Sequence, residues 1–186
     1  GLQVSGRELL RFVDPASGET MAVRSDITGQ IGRIATSRMG HHPRPVRLSY
    51  GGPVVKLKAS QLRPEREMMQ VGAELIGLDS VAAVAEIINA AIDGLKAAGV
   101  TNITLDLNLP DLVDLLAAGP LPVDDVAQLK SRLDAKDVAD VPAAYAPLIE
   151  AAGPVEEAIS RLRAFDGSGL LADRLQRIEA IVALLP

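Results

Sequence analysis

Two clusters of hydrogen-bonding side chains carry the chemical content of this 186-residue sequence. In Arg24-Ser25-Asp26-Ile27-Thr28, a carboxylate and a hydroxyl stand two residues apart, at the point where a strand pattern gives way to helical spacing. In Met68–Ile76, strand alternation puts Met68, Gln70, Gly72, Glu74 and Ile76 on one face and Met69, Val71, Ala73 and Leu75 on the other. Gln70 and Glu74 thereby offer polar groups to a common pocket. The same pattern also fits a solvated sheet face.

Other chemistries are excluded or weakly supported. Without cysteine there is no disulfide, thiolate metal site or cysteine nucleophile. The sequence has no GxGxxG, Walker A, HExxH or GxSxG pattern. Its two histidines, His41 and His42, are adjacent in a proline-flanked loop. Neighbours in an extended chain point to opposite faces, so they make a poor metal site, and no metal or cofactor is expected. Two Phe, two Tyr and no Trp cannot build a base-stacking platform. No apolar run approaches the ~20 residues that span a bilayer, and no signal peptide opens the chain, so the expectation is a soluble cytoplasmic protein. The formal net charge of -5 conceals an asymmetry: residues 1–66 hold 11 Lys and Arg against 5 acids, and residues 67–186 hold 8 against 19. The basic part could attract phosphates or pair with the acidic remainder, and charge alone does not choose.

The elements that must position these groups follow from patterning. Residues 8–24 read as two short strands around the turn Asp14-Pro15-Ala16-Ser17-Gly18. Ile27, Ile31 and Ile34 give a helix from Asp26 to Arg38, with Asp26 as N-cap or first-turn residue. The sequence then predicts an antiparallel pair, Val46–Tyr50 and Val54–Lys58, turning at Gly51-Gly52-Pro53, with Met68–Ile76 as a third strand beyond a charged loop. Ser80–Ala98 is an amphipathic helix ended by Gly99, Asn102–Leu107 a short strand, and Pro110–Ala118 a helix. Further helices are expected at about 123–137, 142–152, 154–165 and 167–185. The fold class is α+β, with a mixed core over 1–119 and an all-helical region over 120–186.

At LSYGGPVVKLKASQLRPEREMMQVGAELIG (48–77), together with RFVDPASGE and Arg24-Ser25-Asp26-Ile27-Thr28, a family becomes visible. These stretches resemble the histidyl-tRNA synthetase branch of the class II aminoacyl-tRNA synthetases. They look more closely like its noncatalytic paralogues, the regulatory subunits of ATP phosphoribosyltransferase in histidine biosynthesis. The resemblance is good over residues 10–78 and is one of pattern beyond them. It implies a class II synthetase-like antiparallel sheet with flanking helices and a helical insert. It also assigns histidine binding to Asp26, Thr28, Gln70 and Glu74, whose acceptors suit the ammonium and imidazole N–H donors of that ligand.

The departures from the family pattern are informative. Lys56 stands where a synthetase has the motif 2 Arg that grips the ATP α-phosphate, and lysine cannot supply that planar fork. Lys58 reverses the charge of the motif 2 Glu. Nothing resembles motif 1, the glycine-rich motif 3 or the RGLDYYTG-like histidine-binding segment, and the chain begins with Gly1, as expected of an internal piece of a longer protein. The resemblance therefore implies a noncatalytic, allosteric regulatory subunit. It would bind histidine as effector, partner a short-form ATP phosphoribosyltransferase catalytic subunit and self-associate at full length. The alternative is an active histidyl-tRNA synthetase, which Lys56 and Lys58 oppose because adenylate chemistry needs positive charge placed on the phosphate. A nucleic-acid-binding role suits the sparse aromatics and the acidic 120–186 region poorly.

Overall fold

The computed structural model describes residues 9–57, 64–135 and 141–186. Two compact units emerge, residues 1–100 and 101–186. The first is α+β and the second helical.

The first unit opens with β1 (Leu10–Val13) and β2 (Thr20–Val23), an antiparallel pair with Phe12 opposite Met21. Their turn forms as its residues require. Asp14 accepts from Ala16 N and Ser17 Oγ, and Gly18 takes φ +72°, a conformation that favours glycine. Then comes α1 (Thr28–Ser37). Its N-cap position is Ile27 rather than Asp26, and Asp26 Oδ1 instead accepts from the Thr28 backbone N–H at 2.7 Å.

The next elements correct the sequence reading. Residues 46–55 form one strand, β3 (Val46–Val55), which runs straight through Gly51-Gly52-Pro53 and pairs along its whole length with β4 (Glu67–Ile76). The expected turn at 51–53 does not exist. A proline is tolerated here because, among the described residues, β3 pairs in the sheet with β4 alone, and on its other edge Arg24 bonds the Pro53 carbonyl and accepts from the Val55 N–H without needing a donor from Pro53. Gly52 is explained by crowding, since a Cβ there would sit 2.6 Å from the Arg24 guanidinium. Lys56 follows the strand and extends the ladder by one bond, its N–H donating to Arg66 O at 2.8 Å. Lys58 lies outside the described residues.

Both α1 and α2 (Val81–Ala97) pack against β4. Ser80 caps α2 by accepting from Ala83 N at 3.1 Å, and Gly99 ends it at φ +85°. Gly77, at φ +95°, lets the chain leave β4 beneath Arg44, whose Cδ would lie 2.7 Å from an added Cβ.

In the second unit the expected strand at 102–107 is absent. Residues 101–109 have no regular secondary structure, because an alternating segment becomes a strand only when a ladder partner takes its backbone groups. The helices are α3 (Leu112–Ala118), α4 (Val126–Asp134), α5 (Ala146–Glu150), α6 (Val155–Phe165) and α7 (Ala172–Val182), each shorter than the sequence spacing suggests. Leu116, Leu129 and Tyr145 form one core cluster, and Ile159, Leu171 and Leu175 another. Thus α3 packs with the helices that follow it. The Tyr145 hydroxyl donates to Leu121 O at 2.5 Å, which satisfies the one polar atom of that buried ring. No helix among the described residues is long and apolar enough to cross a membrane.

Candidate functional site

Three elements of the first unit converge on one set of polar side chains. The start of α1 and the residues leading into it supply Thr28 and Asp26, β3 supplies Tyr50, and β4 supplies Gln70, Gly72 and Glu74. The antiparallel register sets Gly52 opposite Gln70, Tyr50 opposite Gly72 and Leu48 opposite Glu74. Side chains on this face are partly covered, whereas Met69 and Val71 on the other face are 70% and 81% exposed. The polar face of β4 is therefore the one that looks inward.

Asp26 and Gln70 are tied reciprocally. Gln70 Nε2 donates to Asp26 Oδ2 at 2.9 Å, and Gln70 Oε1 accepts from the Ile27 N–H at 2.9 Å. Ile27 is buried, so its N–H would otherwise lack a partner. The bond from Gln70 lowers the Asp26 carboxyl below the usual aspartate range; burial opposes it as the next largest effect, and the Thr28 N–H, the Thr28 side chain and the Lys56 charge add smaller contributions in the same direction as Gln70. Asp26 is thus held as a carboxylate.

A second chain of contacts joins the remaining residues. Thr28 Oγ1 and the Tyr50 hydroxyl lie 2.9 Å apart, and the Tyr50 hydroxyl donates to Glu74 Oε1 over a long 3.4 Å. The Tyr50 ring sits directly over Gly72, where an added Cβ would come within 2.4 Å of Cζ and of the hydroxyl oxygen. Lys56 turns inward as well, its Nζ donating to Ser25 O at 2.9 Å. On the flank, Arg24 Nε donates to Pro53 O at 2.8 Å across the β3 backbone.

The structure therefore brings together all four residues singled out from the sequence, Asp26, Thr28, Gln70 and Glu74. It adds Tyr50, which sequence reasoning missed. The available signal was a lone tyrosine set against a glycine on the facing strand, and reading it required the register of a strand that the Gly-Gly-Pro sequence had seemed to break. His41 and His42 stack loosely on each other, with ring centroids 4.6 Å apart, at an exposed turn. Among the described residues no group of three or more His, Cys, Asp or Glu side chains is placed to hold a metal.

Comparison with known proteins adds an independent line. The family model described as histidyl-tRNA synthetase matches residues 1–185. The chain is 40% identical over 185 residues to the ATP phosphoribosyltransferase regulatory subunit of Paramagnetospirillum magneticum, covering 95% of this chain and 49% of that protein. To the protein of the same name from Rhodospirillum centenum it is 39% identical over 187 residues, covering 96% and 48%. It thus spans about half the length of these curated relatives. Among solved structures it is similar to an ATP phosphoribosyltransferase regulatory subunit/histidyl-tRNA synthetase from Bacillus halodurans. The TM-score is 0.79 at 23% identity, over 98% of this chain and 50% of that one, a likeness of fold.

Proposed function

The chain belongs to the histidyl-tRNA synthetase family, and from that premise we propose that it is part of a noncatalytic regulatory subunit of ATP phosphoribosyltransferase. In this reading the full-length protein binds free histidine without activating it. It supports a short-form catalytic subunit in the first step of histidine biosynthesis and conveys feedback inhibition. Such control requires histidine to bind one state of the assembly more tightly than another. The reading places the protein in the cytoplasm and includes self-association at full length.

The observation that carries this proposal is the fate of Lys56. It stands at the motif 2 position from which a synthetase reaches the ATP phosphate, and here its ammonium donates to the Ser25 carbonyl and lies close enough to Asp26 to add a small stabilisation of that carboxylate. A single ammonium tied to the 24–28 segment does not supply the planar bidentate fork by which a synthetase's arginine grips the phosphate. The acceptors of Asp26, Thr28, Gln70 and Glu74 meanwhile remain grouped, as recognition of an ammonium and imidazole N–H donors requires. Retained ligand groups beside a redirected phosphate group favour binding without adenylation. The names of the relatives at 39–40% identity support the same assignment.

The test is reconstitution. Full-length protein is added to the short-form catalytic subunit, and phosphoribosyl transfer to ATP is followed with and without histidine. Activity is expected to rise with the added subunit and to fall again as histidine is raised. A catalytic subunit indifferent to its presence would contradict the proposal.

A further inference from the structure

Resting on the reading of this site as a histidine pocket, we infer that Arg24 is a positioning residue. It clasps the segment carrying Asp26 onto the end of β3 and so fixes where that carboxylate meets the ligand. Residues 24–26 follow β2 and run beside the edge of β3 that, among the described residues, no strand covers. Three bonds join segment and strand. Arg24 Nε donates to Pro53 O at 2.8 Å, the Val55 N–H donates to Arg24 O at 3.0 Å, and Lys56 Nζ donates to Ser25 O at 2.9 Å. The direction of each is fixed by its groups, since a guanidinium, an amide N–H and an ammonium only donate and a carbonyl only accepts. The clasp is reciprocal: the segment reaches to the strand through Arg24, and the strand reaches back through Lys56.

Asp26 lies at the end of this clasp, between the buried residues Ser25 and Ile27. The backbone is tied on both sides of it, Ser25 O to Lys56 and Ile27 N to Gln70, so Asp26 moves only with the segment. The strand is shaped to receive Arg24. A Cβ on Gly52 would lie 2.6 Å from Arg24 Nη2, and the group that must give way is the flexible end of the arginine. In the ladder Gly52 stands opposite Gln70, the residue that bonds Asp26. The seat of Arg24 and the partner of Asp26 thus share one rung of the sheet, and a segment loosened at the first shifts relative to the second. Arg24 need not touch a ligand to act. It acts through Asp26.

The experiment is a double-variant cycle on the full-length protein, titrated calorimetrically with L-histidine. Arg24→Met removes the donor and keeps the aliphatic stem, and Gly52→Ala fills the seat from the strand side. Arg24→Met is expected to weaken histidine about three- to tenfold, the effect of one lost hydrogen bond. In the Asp26→Asn background it should add less than about twofold, because the charge it positions is gone. Gly52→Ala should reproduce the loss in the parent and add less than about twofold to Arg24→Met, since both variants unseat the same guanidinium. A merely structural role would weaken binding equally with Asp26 and with Asn at that position, and that result overturns the inference. If Arg24→Met does not fold, Gly52→Ala carries the same comparison against Asp26→Asn. If the parent binds histidine and Asp26→Asn weakens it while Arg24→Met and Gly52→Ala do not, the inference fails and the pocket reading stands. If the parent binds no histidine, both fail.

Discussion

Replacing Gln70 by Glu is the sharpest structural perturbation of the site, because it reverses one interaction and preserves the rest. Gln70 donates to Asp26 Oδ2 at 2.9 Å and accepts from Ile27 N at 2.9 Å. In Gln70→Glu one carboxylate oxygen still accepts from Ile27, but the other faces Asp26 with no proton between them. Two full charges at that separation repel by about 1.5 kcal/mol in water and about 6 kcal/mol at an effective dielectric of 20. The lost bond to a charged acceptor is itself worth about 1.5–3 kcal/mol. Relaxation and proton uptake cap the total, and a loss of about 2–4 kcal/mol at pH 7 is expected.

The pH dependence supplies the sign. In the parent, the Asp26 carboxyl is lowered by its bond from Gln70, so its stabilisation is present above the ordinary aspartate range and is lost as pH falls through its folded value. In Gln70→Glu the folded pair binds a proton more readily than the unfolded chain does. Its stability should therefore rise as pH falls from 7 toward 4, opposite in slope to the parent. Urea unfolding across this range, followed by tyrosine fluorescence in a Tyr145→Phe background, reports the first unit through Tyr50 alone, since the sequence has only two tyrosines and no tryptophan. A variant as stable as the parent at pH 7, or one whose acid slope follows the parent's, would refute the reciprocal tie.

Further outcomes follow from other parts of the molecule. Full-length protein should show no histidine-dependent ATP–pyrophosphate exchange, and clear exchange would return the synthetase alternative. Tyr145→Phe should cost the helical unit about 1–2 kcal/mol in denaturant unfolding, because the buried bond to Leu121 O is lost. Burial pushes the Tyr145 phenol up, so the parent's advantage over this variant should be complete below about pH 10 and be lost as pH rises through the raised folded value, as read by stability against pH. Gly77→Ala should lower stability by about 1–3 kcal/mol in thermal or denaturant melts, since φ is +95° and Arg44 occupies the space beside it.

The sequence made some of this legible for physical reasons. The Asp14–Gly18 turn, the Ser80 cap and the Gly99 stop are local devices, each closed by bonds within a few residues, and local pattern suffices to read them. Gly51-Gly52-Pro53 misled because turn residues and crowded strand residues are the same amino acids. Only the guanidinium of Arg24 above Gly52 and the ladder to Met69 distinguish the two uses, and both lie far away in sequence. Residues 102–107 alternate as a strand should, but a strand is a property of two segments, and one sequence window shows only one of them. For the site, Asp26, Thr28, Gln70 and Glu74 came from resemblance to a family. Alternation correctly put Gln70 and Glu74 on one face, yet did not say that this polar face is the covered one. Tyr50 needed the register.

The central claim is that Asp26 and Glu74 belong to a pocket for histidine in a protein that binds it without consuming it. Calorimetric titration of full-length protein with L-histidine, comparing the parent with Asp26→Asn and Glu74→Gln, tests this most directly. A charge-assisted bond to the ligand contributes about 1.5–3 kcal/mol, so each variant should bind about 10- to 150-fold more weakly than the parent. Histidine affinity equal to the parent's in both variants would contradict the claim and leave these carboxylates as ordinary polar groups of a sheet face.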